Sequence, residues 1–588
     1  MEPLDGCLQL RQALSRRFDE QQPLARGLHF PFPAINRSDG TGEDVHTGGQ
    51  SHFDDGARDA PGFGGASTRH KNQTFIGQGV LPPRYSFSRA TFPWFLVLAW
   101  HATIPIRDRK HFTREMTATI KFGTSGWRAI IAEDFTFANV RLATAAIAEH
   151  VRSRKTNATL IIGHDTRFFA EEFSHAAAEV LREYGIRVLL CNGPTPTPAI
   201  AHEILRRKVD GAINFTASHN PAEYQGLKFT GPDGGPALPE VTHDIEARAA
   251  KLGERAPCKP NDKPFEKIDA KDSYLDRLAQ LVNFKSLGDA KLSVVTDALH
   301  GCGAGYLDRA LSTHGVDVQA LRTVRDVLFD GSGPDVSEEN LRPLREAVLA
   351  KKAAVGLATD GDADRFGILD SDGTWMQPNH ILGLLYDYIV ETRGWKMPAA
   401  RSVATSHLMD AVARHHGTTV FQTPVGFKYI GELIQQDKIA MGGEESAGMT
   451  IRGHVPEKDG ILACLLVAEM IAVRRASLGE QLRALFQRVG CEFWPQRTNL
   501  HLPENVKLRT VDRLKGDFPA FLGRRVKSLD RTDGLKMEFA DGSWVLLRLS
   551  GTEPLLRVYT EAATLKESSK IASETQAWVM DSAPKVKA

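Results

Sequence analysis

Beyond about residue 116, short apolar runs alternate with amphipathic segments along the chain. Leu160-Ile-Ile162 and Ile186–Leu190 are rich in Ile, Leu and Val and have the length of buried strands. Between them, Val140, Ala143, Ile147 and Val151 recur at the spacing of one helical face, and a second helix is predicted to run to about Tyr184. Gly211–Phe215 reads as a buried strand end and Gly226–Phe229 as a further strand. Strands alternating with helices in this way are βαβ units, which predict a mainly parallel sheet covered on both faces.

The pattern restarts near Lys271. Leu292–Thr296 and Ala354–Ala358 read as strands, and the glycine-rich turn His300–Gly305 reads as a packing feature that leads into a helix. From about Gln377 to Phe493, strands are predicted at Ser402–Thr405, Thr419–Gln422 and just before Gly442, with a heavily apolar helix from Gly460 to about Arg475. Lys536–Phe539 and Trp544–Leu547 flank Ala540-Asp541-Gly542-Ser543, a hairpin signature. A last helix spans about Leu565 to Val579.

Residues 1–115 differ from the rest. No helical or strand period persists there, and stretches such as Gly62–Ala66 are poor core material. The apolar run Phe92–Trp100 is far short of the ~20 residues that span a bilayer and is broken by Pro93. It also lies too far from Met1 for a signal peptide. The expectation is that 1–115 is a disordered or mis-annotated extension and that Met116 is the translation start, with a regulatory or targeting extension as the alternative. At 588 residues the chain exceeds the ~250–300 residues of a single core, so several domains are expected. A formal net charge of +1 points to neither a nucleic-acid nor a membrane partner. Six cysteines without a CxxC pair argue against a zinc ribbon or disulfide framework and fit a reducing, cytoplasmic location.

Four loops carry candidate chemistry. Thr216–Pro221 places Ser218 where the chain leaves a sheet, the usual position of ligands in α/β folds, and Pro221 restricts Asn220 so that the loop has a defined shape. Its alternative reading is a polar turn. Asp360, Asp362 and Asp364 alternate at a strand end, and carboxylates so close repel unless a cation neutralises them. Oxygen ligands alone suit Mg²⁺ or Ca²⁺. An EF-hand is excluded, because Arg365 stands where that loop needs glycine and Ser371 where it needs glutamate. A solvated acidic turn is the alternative. Glu444 and Ser446, flanked by Gly442, Gly443 and Gly448, offer a carboxylate and a hydroxyl to a closely approaching ligand, or form an exposed turn. Arg548, Ser550, Gly551, Thr552 and Arg557 can form an anion nest with added charge, or a hairpin exit.

In this order the four stretches resemble the α-D-phosphohexomutase family, most of all its bacterial phosphoglucomutases. The resemblance implies three similar α/β domains with mixed, mainly parallel sheets (116–270, 271–376 and 377–492). A C-terminal α+β domain (493–588) completes a central cleft. It implies that Ser218 donates and accepts a phosphoryl group, that Lys228 and His219 are candidate bases, and that Arg128 is an active-site arginine. Mg²⁺ would sit on Asp360, Asp362 and Asp364 with the phosphate of Ser218, and Arg365 would help neutralise that phosphate. Glu444 and Ser446 would read the sugar, and Lys458 would face the cleft or belong to a helix cap. Arg548, Ser550, Gly551, Thr552 and Arg557 would grip the phosphate not being transferred. The implied reaction interconverts glucose 1-phosphate and glucose 6-phosphate, with glucose 1,6-bisphosphate as intermediate and activator. Gly443-Glu-Glu-Ser446 and Thr423–Lys428 look like the glucose-type loops; a phosphomannomutase or other phosphohexo- or phosphopentomutase is the alternative. Hexose phosphates are the expected partners, and the chain is expected to be a monomer or dimer. Two other classes compete: a phosphatase with Asp360 as nucleophile, and a non-catalytic sugar-phosphate binding protein. The residues after Asp362 fit the phosphatase pattern poorly, and binding alone needs no nucleophile.

Overall fold

A computed structural model of the chain describes residues 120–253, 263–549 and 555–581. The expected extension 1–115, together with Ser550, Gly551 and Thr552, lies outside the described residues.

Among the described residues the fold is built on four sheets. In the first, the parallel strands Ala212–Phe215, Thr159–His164, Arg187–Cys191 and Glu266–Ile268 are extended at one edge by Tyr224–Thr230 and Trp127–Ile130, both antiparallel to their neighbours. In the second, Val355–Thr359, Ser293–Asp297 and Asp317–Leu321 run parallel, and Phe366–Asp370 and Trp375–Met376 add antiparallel strands. The third has Val420–Thr423, Ala399–Ser402 and Met441–Glu444 parallel, with Gly448–Ile451 antiparallel beside the last. The fourth sheet is wholly antiparallel and includes the expected hairpin of Leu535–Phe539 and Trp544–Leu549.

One feature recurs in the first three sheets. A buried parallel strand ends, a loop follows, and the chain returns as the adjacent antiparallel strand. The loops so formed hold Ser218, the three aspartates, and Glu445 and Ser446, with Glu444 at the strand end before them. The similarity of the three units, invisible in the residue patterns, is therefore plain in their connectivity. Each chemical loop sits at the carboxyl end of a parallel strand, where backbone groups leave the ladder and side chains are free to converge.

One expectation is revised. The strand expected at Ser402–Thr405 is Ala399–Ser402 instead, and Thr405 N closes a turn on Ser402 O at 3.1 Å. The offset arises from Arg401, a charged residue that is buried because it makes a two-pronged pair with Asp410 at 2.5 and 3.1 Å. The helix Gly460–Arg474 packs on strands of the second sheet as well as on the helix Pro378–Arg393, and one hydrophobic cluster runs through both units. A helix buried on all sides needs apolar residues all round, which accounts for its composition.

The fourth sheet meets the third unit through Val403, Ala404, Trp544, Leu546 and Tyr559. Lys536 is buried in this contact. Its Nζ donates to Val403 O at 3.0 Å, meets His407 Nε2 at 2.8 Å, and lies 3.9 Å from the centre of the Trp544 ring. Among the described residues no helix is long and apolar enough to cross a membrane. Cys191, Cys302, Cys464 and Cys491 are all free thiols.

Candidate active site

Ser218 is buried and holds a left-handed backbone, φ +54°. Its amide donates to Thr216 Oγ1 at 2.9 Å, and its hydroxyl donates to Asp360 Oδ2 at 2.7 Å. The serine and the aspartate loop thus meet across 142 residues of chain. His219 Nδ1 stands 3.5 Å from the same hydroxyl, at the limit of a hydrogen bond. Burial, with Arg365 and Arg128 nearby, holds the His219 imidazole well below its usual range, so it is neutral.

Asp360, Asp362 and Asp364 are fully buried, and one ligand atom from each falls within 4.8 Å of the others. Lys228 Nζ donates to Asp362 Oδ2 at 2.5 Å and to Asp364 Oδ2 at 2.8 Å. Lys458 Nζ lies 3.0 Å from Asp364 Oδ2 and 3.0 Å from Glu457 Oε1. It therefore faces the carboxylates, while the helix cap falls to Asp459, whose Oδ1 accepts from Leu462 N at 2.8 Å. Burial and repulsion from Asp362 and Asp364 push the Asp360 carboxyl well above the usual range. Burial opposes ionisation of Asp364 too, but Lys228, Lys458 and Arg365 outweigh it and hold that carboxyl well down. Burial likewise weakens the Lys228 ammonium, yet Asp362 and Asp364 raise it on balance, so in this arrangement the amine is a donor and not a base.

The loop fits a hard divalent cation. Asp362 Oδ1 and Asp364 Oδ1 are buried without a hydrogen-bond partner, and all the donors are oxygens. Arg365 anchors the turn, with its amide donating to Asp360 Oδ1 at 3.0 Å, and its Nε sits 3.8 Å from Asp364 Oδ1. Arg128 donates to Asn220 Oδ1 at 2.6 Å, which ties the first strand to the serine loop. Burial and the Arg365 charge lower its guanidinium to about 10, still protonated at neutral pH.

Glu444 is buried at the end of its strand and accepts from Gly426 N at 2.7 Å. Gly426 has φ +134°, a conformation that side-chain-bearing residues rarely adopt, so the Thr423–Lys428 loop can present that N–H only with glycine there. Burial and the neighbouring Glu445 carboxylate push Glu444 up to about 7. Ser446 is half-buried on the same turn. In the fourth sheet Arg548 and Arg557 are direct cross-strand partners, and Arg548 Nε donates to Asp533 Oδ2 at 2.9 Å. Two like charges opposite each other on one face favour an anion between them.

Several contributors had no motif to announce them. Thr197 donates from Oγ1 to Asp362 Oδ2 at 2.6 Å and from its amide to Asp362 O at 3.0 Å, which carries the helix start Thr197–Arg207 onto the aspartate loop. Only the prolines around it, Pro196 and Pro198, mark a helix start in the sequence. Arg497, from the first strand of the fourth sheet, is close enough to His219 to help lower it. Gly460 packs on the backbone of Arg365.

Known proteins bear the same layout. The phosphoglucomutase/phosphomannomutase family models match in order: alpha/beta/alpha domain I over residues 119–256, domain II over 272–373, domain III over 377–489, and the C-terminal domain over 498–577. A phosphoglucomutase/phosphomannomutase of Thermococcus kodakarensis is 29% identical, with 75% of this chain and 94% of that protein covered. Human phosphoglucomutase-1 is 28% identical, covering 78% of this chain and 92% of its own. A crystal structure from Thermus thermophilus, whose proposed assignment is phosphomannomutase, is 31% identical with a TM-score of 0.70, covering 79% of this chain and 100% of that one. With all four regions found in one order along one chain, and the solved relative covered from end to end, this protein is a member of the α-D-phosphohexomutase family.

Proposed function

We propose that this phosphohexomutase interconverts glucose 1-phosphate and glucose 6-phosphate through a phosphorylated Ser218 and a glucose 1,6-bisphosphate intermediate. The observation that carries the reading is the hydrogen bond from Ser218 Oγ to Asp360 Oδ2 at 2.7 Å, which aims the hydroxyl at the buried carboxylates. Mg²⁺, held by Asp360, Asp362 and Asp364, supplies a Lewis acid for phosphoryl oxygens when bound. In the forward direction, phosphoserine passes its phosphoryl group to the O6 hydroxyl of glucose 1-phosphate. The P–O bond to Ser218 breaks as the new P–O bond forms, and the hydroxyl proton leaves to a base. The bisphosphate then turns over, Ser218 recovers a phosphoryl group from O1, and glucose 6-phosphate departs. Lys228, Lys458, Arg365 and Arg128 surround this position with positive charge, which favours charge gathered on the transferring group. Neutral His219, with Nδ1 3.5 Å from the serine hydroxyl, is the candidate base for that proton.

Glu444 and Ser446 read the sugar hydroxyls, and Arg548 and Arg557, with the Ser550–Thr552 loop, hold the phosphate that is not reacting. The glucose-type loop residues support glucose over mannose or glucosamine phosphates. The aspartyl-phosphatase alternative is disfavoured by Asp360 itself, whose two oxygens accept from Ser218 Oγ and Arg365 N.

The test is a coupled assay with Mg²⁺ and a trace of glucose 1,6-bisphosphate, run on the native protein and Ser218→Ala, with mannose 1-phosphate in competition. Glucose turnover that disappears in the variant is expected. Preference for the mannose compound would keep the mechanism and overturn the sugar assignment; a Ser218→Ala protein that turns over normally would overturn both.

A further inference from the structure

Arg167 is among the largest fully buried side chains, although it is a cation. Its guanidinium is occupied by one short stretch of chain. Nη2 donates to Ser218 O at 2.8 Å and Asn220 O at 2.5 Å, and Nη1 donates to Pro221 O at 2.7 Å and Tyr224 O at 3.0 Å. Nε donates to Asp165 Oδ2 at 3.1 Å, and the Arg167 amide donates to Asp165 Oδ1 at 2.9 Å, so the fork itself is held in plane.

Four carbonyls pointing at one spot repel each other, and a loop does not gather them unaided. A planar fork of donors is the side chain that can. The loop so gathered contains Ser218 in a left-handed backbone, a conformation that persists only where its surroundings over-determine it. The second α/β unit completes the arrangement. Arg325 donates from Nε to Thr166 O at 2.9 Å and from Nη2 to Arg167 O at 3.1 Å, and the Phe329 ring covers the guanidinium at 5.1 Å. The same segment continues to Pro334, whose carbonyl accepts from Gly361 N in the aspartate loop at 3.2 Å.

We propose that Arg167 is the positioning residue for the nucleophile: it gathers the serine loop so that Ser218 Oγ points at Asp360, and residues 325–334 fix that loop and the aspartate loop to each other. Arg167 touches no reacting atom. The inference rests on the phosphoserine reading and adds a residue outside the substrate path.

Arg167→Lys keeps a positive charge but cannot reach four carbonyls. Phe329→Ala removes the cover and leaves the fork, and guards against a lysine variant that fails to fold. Three quantities are read on each protein: kcat and KM for glucose 1-phosphate, the rate of Ser218 phosphorylation by glucose 1,6-bisphosphate followed by intact mass, and the melting temperature. For Arg167→Lys, kcat is expected to fall about 100-fold, as for a reacting group misplaced by ~1 Å. Ser218 phosphorylation should slow in parallel, and KM should change less than about threefold because the sugar readers belong to the third unit. For Phe329→Ala the same pattern is expected at about tenfold. An Arg167→Ala protein should regain part of its kcat with millimolar guanidinium and none with ammonium. Three results would overturn the proposal: Arg167→Lys phosphorylating Ser218 at the native rate, a loss confined to KM, or a loss that returns fully on cooling below a lowered melting temperature. Should the native protein itself acquire no phosphate on Ser218, the phosphoserine reading falls and this inference with it.

Discussion

Gly460 begins the helix that follows Lys458, and its replacement by alanine is the most direct probe of how the aspartate loop is supported. A Cβ there would stand 2.2 Å from Arg365 O, 2.5 Å from Arg365 C and 3.0 Å from Ala363 O. Ordinary carbon–oxygen contact begins at ~3.3 Å, so about 1 Å of backbone movement is required. The aspartate side resists. Its carbonyls are pinned by Thr197 N to Asp362 O and by Cys302 N to Gly361 O, both at 3.0 Å. The helix start therefore yields, breaks the bond from Gly460 N to Ala363 O at 3.1 Å, and carries Lys458 away from Asp364. Overpacking of this kind costs about 1–3 kcal/mol in stability, while ~1 Å of misplacement at a reacting centre costs on the order of 100-fold in rate. The expected Gly460→Ala protein is thus folded, modestly less stable, and about 100-fold slower at saturating Mg²⁺ and glucose 1-phosphate. Gly383→Ala is the control, because the atoms its Cβ would meet first belong to the Leu408 side chain, at 2.4 Å. It should lose stability without a matching loss of rate. A Gly460→Ala protein with more than a third of native kcat, or a control that loses as much activity, would refute the reasoning.

Further outcomes follow from the charges. Glu444 is raised from 4.5 to about 7, so its protonated form prevails below neutrality and it becomes a pure acceptor above. kcat/KM should rise through about pH 7, and Glu444→Gln should remove that inflection from the pH profile. The same shift makes Glu444 a stabilising group below about pH 4.5 whose contribution fades as pH climbs through 7, a trend that melting curves of the glutamine variant should lack. Burial and the Arg401 charge lower Lys536 to about 7. A depressed lysine costs the folded state most at low pH, so Lys536→Met should gain melting temperature over the native protein at pH 6 and lose that advantage by pH 10. Mg²⁺ at ten times its Kd should stabilise the native protein by about 1.4 kcal/mol, and Asp362→Asn should abolish the increment in a thermal-shift assay.

Much of this was legible in the residues because reactive loops must sit where strands end. The serine, the aspartates and Glu444 each follow an apolar run, and the structure keeps each at the carboxyl end of a parallel strand. What could not be read depends on contacts made across the fold. Thr197 reaches Asp362 over 165 residues, and Arg167 reaches the serine loop over 51 or more, and neither distance leaves a local pattern. The third-unit strand lies a few residues earlier than its apolar run suggests, because Arg401 is buried through its pair with Asp410, a partner no local pattern announces. The apolar helix Gly460–Arg474 was visible, but that it serves two sheets was not, since periodicity records burial and never the neighbour.

The pairing of Ser218 with Asp360 has a consequence for the moment of synthesis. A ribosome delivers the first sheet, with its serine, well before it delivers the aspartates 142 positions later. A half-made chain therefore displays an ordinary hydroxyl, without the carboxylate that accepts from it in the finished fold. The pairing of hydroxyl and carboxylate therefore arises only once the second sheet has been made and its aspartate loop packs on the serine loop.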